Sequence, residues 1–112
     1  MIERRWSDAE KMIARRAYEA ARRAVLARTL AEFKEKAVGA TTIDDMWSIV
    51  DESCRRRREL EELLDYRYSQ LPLVFARLIL EGHLDERQLA GLSEDKLEEI
   101  RRDVSYFRRR RA

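Results

Sequence analysis

Residues 7–37, with the sequence SDAEKMIARRAYEAARRAVLARTLAEFKEKA, decide the fold. The stretch contains neither Gly nor Pro and is rich in Ala, Arg, Glu and Leu, which are strong helix formers. Ser7 followed three residues later by Glu10 is the pattern of a capping box, and Gly39 is a natural stop. The sequence therefore predicts one helix of about 30 residues, about 45 Å long, which is longer than a compact chain of this size needs.

A seam of small residues runs along this predicted helix. Its members step by four and three residues, as in a coiled coil, and a larger apolar strip follows beside it in the C-terminal half. The seam either packs within a monomeric bundle or contacts a second chain. Because the helix is so long, we predict that at least part of the seam is a dimer interface. The seam consists of Ile13, Ala17, Ala20, Ala24, Ala27 and Ala31, and the larger strip of Leu26, Leu30, Phe33 and Ala37.

A second helix is predicted to begin at Thr42, where Asp45 completes another capping box. Its apolar stripe is interrupted by four consecutive arginines at residues 55–58 and then resumes, so we expect the helix to run to Tyr68. The stripe consists of Ile43, Met46, Trp47, Val50, Cys54, Leu60, Leu63 and Leu64.

The rest of the chain predicts shorter helices. Ser69 and Pro72 mark the entry into a third, almost wholly apolar helix, which Gly82 ends. Asp85 caps a short helix after it. Ser93 begins the last helix, whose single apolar stripe consists of Leu97, Ile100, Val104 and Phe107.

These elements predict an all-α fold in one domain, residues 1–112. We expect the two long helices to form an antiparallel hairpin, the stalk, over about residues 7–68. The shorter helices, about residues 69–108, would form a compact head at one end of it. The charged fraction of 41% and the apolar fraction of 45% agree with amphipathic helices.

Charge and cysteine content narrow the classes of function. A net charge of +2 is small for a protein that binds a nucleic-acid duplex. Cys54 is the single cysteine, which indicates a reducing compartment and predicts a cytoplasmic protein. The longest apolar stretch, residues 71–80, is too short to cross a bilayer, so we expect no membrane association.

The two arginine runs have no assigned role. Residues 55–58 are a solvated helix face, a protein-recognition site or a nucleic-acid patch, and the flanking carboxylates argue against the last. Residues 108–111 suit the negative end of a helix, and an RNA or anionic lipid contact is the alternative.

The sequence carries no catalytic signature. His83 is the single histidine, so a metal site with several His or Cys ligands cannot form. A glycine-rich phosphate loop and a nucleophile elbow are also missing. We therefore predict a protein that is not an enzyme and that needs no metal and no cofactor.

Several short stretches give the chain a resemblance to a known family. The stretches are Asp44-Asp45-Met46-Trp47, Asp51, Arg57, Asp65-Tyr66-Arg67-Tyr68-Ser69, Val74-Phe75-Ala76-Arg77-Leu78, Glu81-Gly82-His83-Leu84, Leu89-Ala90-Gly91-Leu92-Ser93 and Lys96-Leu97. With them the chain resembles the fluorescence recovery proteins of cyanobacteria from about Trp6 to Ile100.

The resemblance implies a function and a set of residues. Such proteins are helical homodimers without a cofactor that bind the photoactivated orange carotenoid protein, detach it from the phycobilisome and speed its return to the dark-adapted state. Their dimer and partner contacts involve a Trp, a His, an Asp and an Arg of the second helix. Three of these correspond to Trp47, Asp51 and Arg57, whereas Val50 stands in place of the His.

The prediction is therefore a homodimeric regulator that binds an orange carotenoid protein or a related carotenoid-binding protein. Trp47, Asp51 and Arg57 are the predicted partner contacts. Trp47 and Val50 are also predicted to join the alanine seam in the dimer interface. The alternatives are the same scaffold with an unrelated protein partner, in a bacterium without phycobilisomes, and a small nucleic-acid-binding dimer.

Overall fold

The computed structural model describes residues 5–111, and that part of the chain contains four α-helices and one short 3₁₀ helix. Helix α1 is Asp8–Gly39 and α2 is Ile43–Leu63, and the two run antiparallel as a hairpin. Helix α3 is Leu71–Leu80, the 3₁₀ helix is Glu86–Leu89, and α4 is Glu94–Arg111. The molecule measures 54 × 30 × 26 Å. The predicted all-α architecture of a hairpin with a helical head is confirmed.

Capping residues fix the starts of both long helices. The amide of Glu10 donates to Ser7 Oγ at 3.0 Å, and the amide of Ser7 donates to Glu10 Oε1 at 3.0 Å. Thr42 and Asp45 make the same reciprocal pair, at 3.1 and 3.2 Å. Both predicted capping boxes are confirmed, and each satisfies backbone donors that a helix start would otherwise leave unpaired.

The ends of these two helices differ from the prediction. Gly39 is the last residue of α1 rather than a cap beyond it, and Ala40 leaves the helix with extended backbone angles. Helix α2 ends at Leu63, not at Tyr68. Tyr18 of α1 explains this, because its hydroxyl donates to the carbonyl of Leu64 at 2.9 Å. A hydrogen bond from another helix thus satisfies a carbonyl that continued helix would have used.

The core lies where the head meets one end of the hairpin. Helix α3 is its centre, as its apolar sequence predicted, and Phe75 and Leu78 are fully buried. The N-terminal half of α1 and the last turn of α2 pack against it, and so do Leu97, Ile100 and Val104 of the predicted stripe of α4. From α1 the core takes Ala14, Ala17, Tyr18, Ala21 and Val25, and from α2 it takes Leu60 and Leu63.

Ala17 requires a correction. It was predicted to lie in the dimer interface, but it is only 2% exposed within a single chain. The buried side of α1 is centred about a quarter turn from the alanine seam, and Ala17 lies at the edge of that side. Its side chain is already covered by the core of its own chain and has no surface left for a second copy.

A buried ion pair joins the starts of α1 and α4. Lys96 Nζ lies 3.2 Å from Glu10 Oε2, and both residues are buried. The amide of Ser93 also donates to Glu10 Oε2, at 2.9 Å. Burial raises the pKa of Glu10, but the hydrogen bonds from Ser7, Ser93 and Lys96 outweigh it and lower the pKa to about 2. One carboxylate therefore accepts hydrogen bonds from backbone amides at the starts of both α1 and α4.

Gly91 allows this junction to close. Its φ of +105° is a conformation that side chains with a Cβ rarely adopt. A Cβ at this position would lie 2.5 Å from Ile13 Cδ1 of α1. The loop before α4 thus approaches α1 closely at a residue that has no side chain, and a Cβ there would displace Ile13.

Candidate interaction surface

Exposed apolar side chains are concentrated on the end of the hairpin that lies away from the head. Among residues 5–111, eight of the twelve large apolar side chains that are exposed fall between residues 26 and 50. We call this set the hairpin patch, because apolar clusters of this kind typically mark interaction surfaces. It consists of Leu26, Leu30, Phe33 and Val38 of α1, and Ile43, Met46, Trp47 and Val50 of α2, with Val38 and Ile43 nearest the turn.

The predicted site residues of α2 occupy one side of this patch. Trp47 is 56% exposed and Val50, one turn further on, is 41% exposed. Asp51 is exposed, and its carboxylate makes no ion pair with another described residue. These side chains are held in place by the helix backbone alone, and so are available to a second protein.

Arg57 lies apart from the other two predicted contacts. It is ten residues from Trp47, which is about 15 Å along a helix axis. Its Nε donates to Glu61 Oε1 at 3.2 Å, so its ion pair is made within α2 and not with Asp51. The single chain does not bring Trp47, Asp51 and Arg57 into one compact site.

A groove between α1 and α2 connects the patch to Arg57. Near the patch, Leu26, Leu30 and Phe33 line a cavity of about 290 Å³, beside an ion pair of 2.8 Å between Lys36 and Glu52. Towards the head the groove continues past Leu26 to Arg57 and Tyr18, whose hydroxyl makes the bond to Leu64. The groove therefore offers an apolar floor with charged groups along its edge.

The alanine seam and the larger apolar strip of α1, which we call the leucine strip, lie on different sides of the helix. Ala24 and Leu26 differ by two residues, which is about 200° around a helix. Ala24, Ala27 and Ala31 are exposed and Ala20 is half-buried. One flat contact with a second chain cannot cover both sides, and the strip borders the groove and offers the larger apolar side chains.

Comparison with known proteins identifies the family. Residues 6–102 match the family described as photoprotection regulator fluorescence recovery protein. The chain belongs to this family. A curated fluorescence recovery protein from Synechocystis sp. is 33% identical over 96 residues, which cover 86% of this chain and 88% of that protein.

Solved structures of the family have the same fold. The fluorescence recovery protein of Fremyella diplosiphon superimposes with a TM-score of 0.86 at 32% identity, covering 90% of this chain and 99% of that one. The Synechocystis sp. protein gives a TM-score of 0.85 at 32% identity, with the same coverage. The resemblance in the sequence is thus confirmed, and the family is one of photoprotection regulators.

The described residues contain neither a cluster that could hold a metal ion nor a helix that could span a bilayer. No group of three or more His, Cys, Asp or Glu side chains is placed to hold a metal ion between residues 5 and 111. Burial lowers the pKa of His83, which lies in the turn after α3. None of the helices described is both long and apolar enough to span a bilayer.

The sequence pattern alone gave too little weight to one part of the exposed apolar surface as a candidate interface. It noted Leu26, Leu30 and Phe33 as an apolar strip but assigned the interface to the alanine seam. It also treated Glu10 as a cap of α1 alone. The spacing of Ser93 and Lys96 places a cation one turn into α4, but the link from there to Glu10 spans more than 80 residues and is not visible in the sequence pattern.

Proposed function

We propose that the chain is a non-enzymatic, homodimeric regulator that binds an orange carotenoid protein, or a related carotenoid-binding protein, and accelerates its return to the inactive state. The observation that carries the proposal is the match of residues 6–102 to a family of photoprotection regulators. Trp47, Asp51 and Arg57 agree with the residue types by which the family contacts itself and its partner, and all three are exposed.

Each proposed contact has a physical role. Trp47 supplies a large apolar surface, which is the usual anchor of a protein interface. Asp51 accepts hydrogen bonds, and Arg57 can exchange its exposed pair with Glu61 for a carboxylate or carbonyl of the partner. The exchange costs little because exposed ion pairs within a helix are weak.

The proposed dimer accounts for the hairpin patch. A second copy is a fitting cover because the patch is formed by two helices of the same chain and lies away from the head. Val50 occupies the position of the family His, so this part of the surface is more apolar than the family pattern implies. An interface between two chains tolerates that change better than a polar partner contact does.

The test is the dark recovery rate of a light-activated orange carotenoid protein with purified wild type, Arg57→Leu and, as a matched control, Arg58→Leu. Arg58 is the next residue of the same run, so its loss changes the net charge equally. We expect the wild type to accelerate recovery and Arg57→Leu to weaken binding by about 1–3 kcal/mol, with Arg58→Leu close to wild type. Equal recovery rates with Arg57→Leu and wild type would show that the site is assigned wrongly.

A second candidate partner has one observation in its favour. Val50 removes a polar group from the surface that the family uses, which suits a different protein partner. A Val50→His variant separates the two cases. If the wild type dimerises but neither it nor Val50→His binds or accelerates the carotenoid protein, the partner is a different protein.

A further inference from the structure

The two arginine runs, which had no assigned role, meet in the structure. Arg56 of α2 and Arg110 and Arg111 of α4 line one cavity of about 260 Å³ between the hairpin and the head. Arg77, in the last turn of α3, is a fourth arginine of the same cavity. We call these four residues the arginine pocket. Side chains from three helices, spread over residues 56–111, thus converge on one place.

The cavity combines positive charge with an apolar floor. Leu63, Leu80 and Phe107 supply the apolar part, and the carboxylates present are those of Glu59 and Glu81. Four guanidinium groups therefore face two carboxylates, an excess of two positive charges in a small volume. The whole chain has a net charge of only +2, so the excess is a local feature.

Most of this charge is not used for internal pairing. Arg56 pairs with Glu59 at 3.2 Å. Arg110 contacts the ring and, at 3.5 Å, the hydroxyl of Tyr106. Arg77 and Arg111 have no ion-pair partner among residues 5–111. Six of the other arginines in residues 5–111 pair with carboxylates of their own chain, and these are Arg15, Arg28, Arg57, Arg67, Arg87 and Arg101.

We infer that the arginine pocket binds an acidic segment of a protein partner that carries an apolar side chain next to its carboxylates. Guanidinium groups bind carboxylates through two parallel hydrogen bonds, which gives both direction and strength. The floor of Leu63, Leu80 and Phe107 then covers the neighbouring apolar side chain. The inference does not rest on the proposed function, since any protein can supply such a segment.

A nucleic acid fits this arrangement less well. Its phosphates form a long, regular line of charge, and binding it requires positive groups spread along a face. Here the arginines converge on a space that holds one or two side chains, and Glu59 and Glu81 would repel a polyanion that passed over it. An acidic peptide avoids the repulsion because its charge is confined to a few carboxylates.

The pocket shares Arg56 with the groove between α1 and α2, but Arg77, Arg110 and Arg111, which its test varies, lie outside that groove. Arg56 and Arg57 are neighbours, so their side chains project about 100° apart around α2. Arg57 lies in the groove that α1 borders, whereas Arg56 also reaches the side that faces α3 and α4. A failure of either proposal is therefore detectable without the other.

The test is fluorescence anisotropy with a labelled peptide of alternating Glu and Leu, and with its Gln-for-Glu counterpart. The variants are Arg77→Gln and the double variant Arg110→Gln/Arg111→Gln. The matched control is Arg108→Gln/Arg109→Gln, which removes the same charge from the same exposed helix end but outside the cavity. The substituted arginines at the end of α4 are exposed, so folding is not at stake.

We expect the acidic peptide to bind, and each pocket variant to raise its dissociation constant about tenfold or more, because it removes a hydrogen bond between charged groups. The control should bind within about twofold of wild type. Equal losses in the two double variants, equal binding of the Gln peptide, tighter binding of a single-stranded oligonucleotide of the same charge, or no binding up to about 1 mM peptide would each overturn the inference.

Discussion

The side of α1 that contacts a second chain can be decided by two matched substitutions. Leu30→Glu places a carboxylate in the leucine strip, and Ala24→Glu places the same group in the alanine seam, about 120° away around the helix. Both positions are exposed in the single chain and lie inside the same helix. The two variants therefore have the same charge and nearly the same helix propensity, and they differ in the side of α1 that carries the new carboxylate.

The size of the effect follows from the exposure of Leu30. Its side chain is 53% exposed in the single chain. Complete burial of a leucine contributes about 1.5–3 kcal/mol, so covering the exposed half contributes about 1 kcal/mol per chain and about 2 kcal/mol per symmetric dimer. That loss alone weakens the dimer about 30-fold. Burying a carboxylate without a partner adds a further cost, so 30-fold is a lower bound.

Sedimentation equilibrium measures the dissociation constant of the wild type and of both variants. We expect the wild type to be dimeric at about 10 μM, Leu30→Glu to be largely monomeric, and Ala24→Glu to resemble the wild type. The reverse result would restore the alanine seam as the interface. A monomeric wild type, or two variants that dimerise as well as it does, would refute the reasoning from exposed apolar surface. Circular dichroism confirms that each variant is folded.

Two further predictions concern the junction of head and hairpin. Because the pKa of Glu10 is lowered from its ordinary 4.5 to about 2, its stabilising effect should be complete above about pH 4.5 and should disappear as the pH falls towards 2. The melting temperature of the wild type should fall over that range, and that of Glu10→Gln should be lower at pH 7 and change less. Gly91→Ala should lower the free energy of unfolding by about 1–2 kcal/mol in a denaturant titration, because Ala at a φ of +105° is strained and its Cβ displaces Ile13. A Gly91→Ala variant as stable as wild type would show that the loop can shift, and Gly39→Ala, at the last residue of α1 with open space around it, is the matched control.

Local patterns predicted most of the fold. The capping boxes at Ser7 and Thr42, the apolar α3 and the single stripe of α4 depend on neighbours within one turn, and such signals are legible in sequence. The end of α2 was mispredicted because a hydroxyl from Tyr18 decides it, 46 residues away. No local feature of residues 64–68 predicts that hydrogen bond.

The candidate site was predicted less completely. The sequence marked Trp47, Val50, Asp51 and Arg57, but it could not show that Arg57 lies about 15 Å from Trp47 along α2. Periodicity revealed two candidate strips on α1 but could not show which of them is the dimer interface. That depends on which side of α1 the head covers. Ala17 was misassigned for that reason. The arginine pocket depends on how three helices meet, which no spacing within one helix encodes.

The carboxylate of Glu10 also affects local unfolding, because it makes one part of the molecule harder to unfold than the other. If the first turn of α1 unravels, the amide of Ser93 and the ammonium of Lys96 lose their partner, so the starts of α1 and α4 should open together, and their amide hydrogens should exchange with solvent at a common slow rate. In residues 26–59 the ion pair that joins α1 to α2, Lys36–Glu52, is exposed and no described residue is buried, so in the single chain the outer hairpin should fray first and exchange fastest. The half of the molecule that we propose for recognition is thus the half that can change shape at little cost, while the head keeps its form.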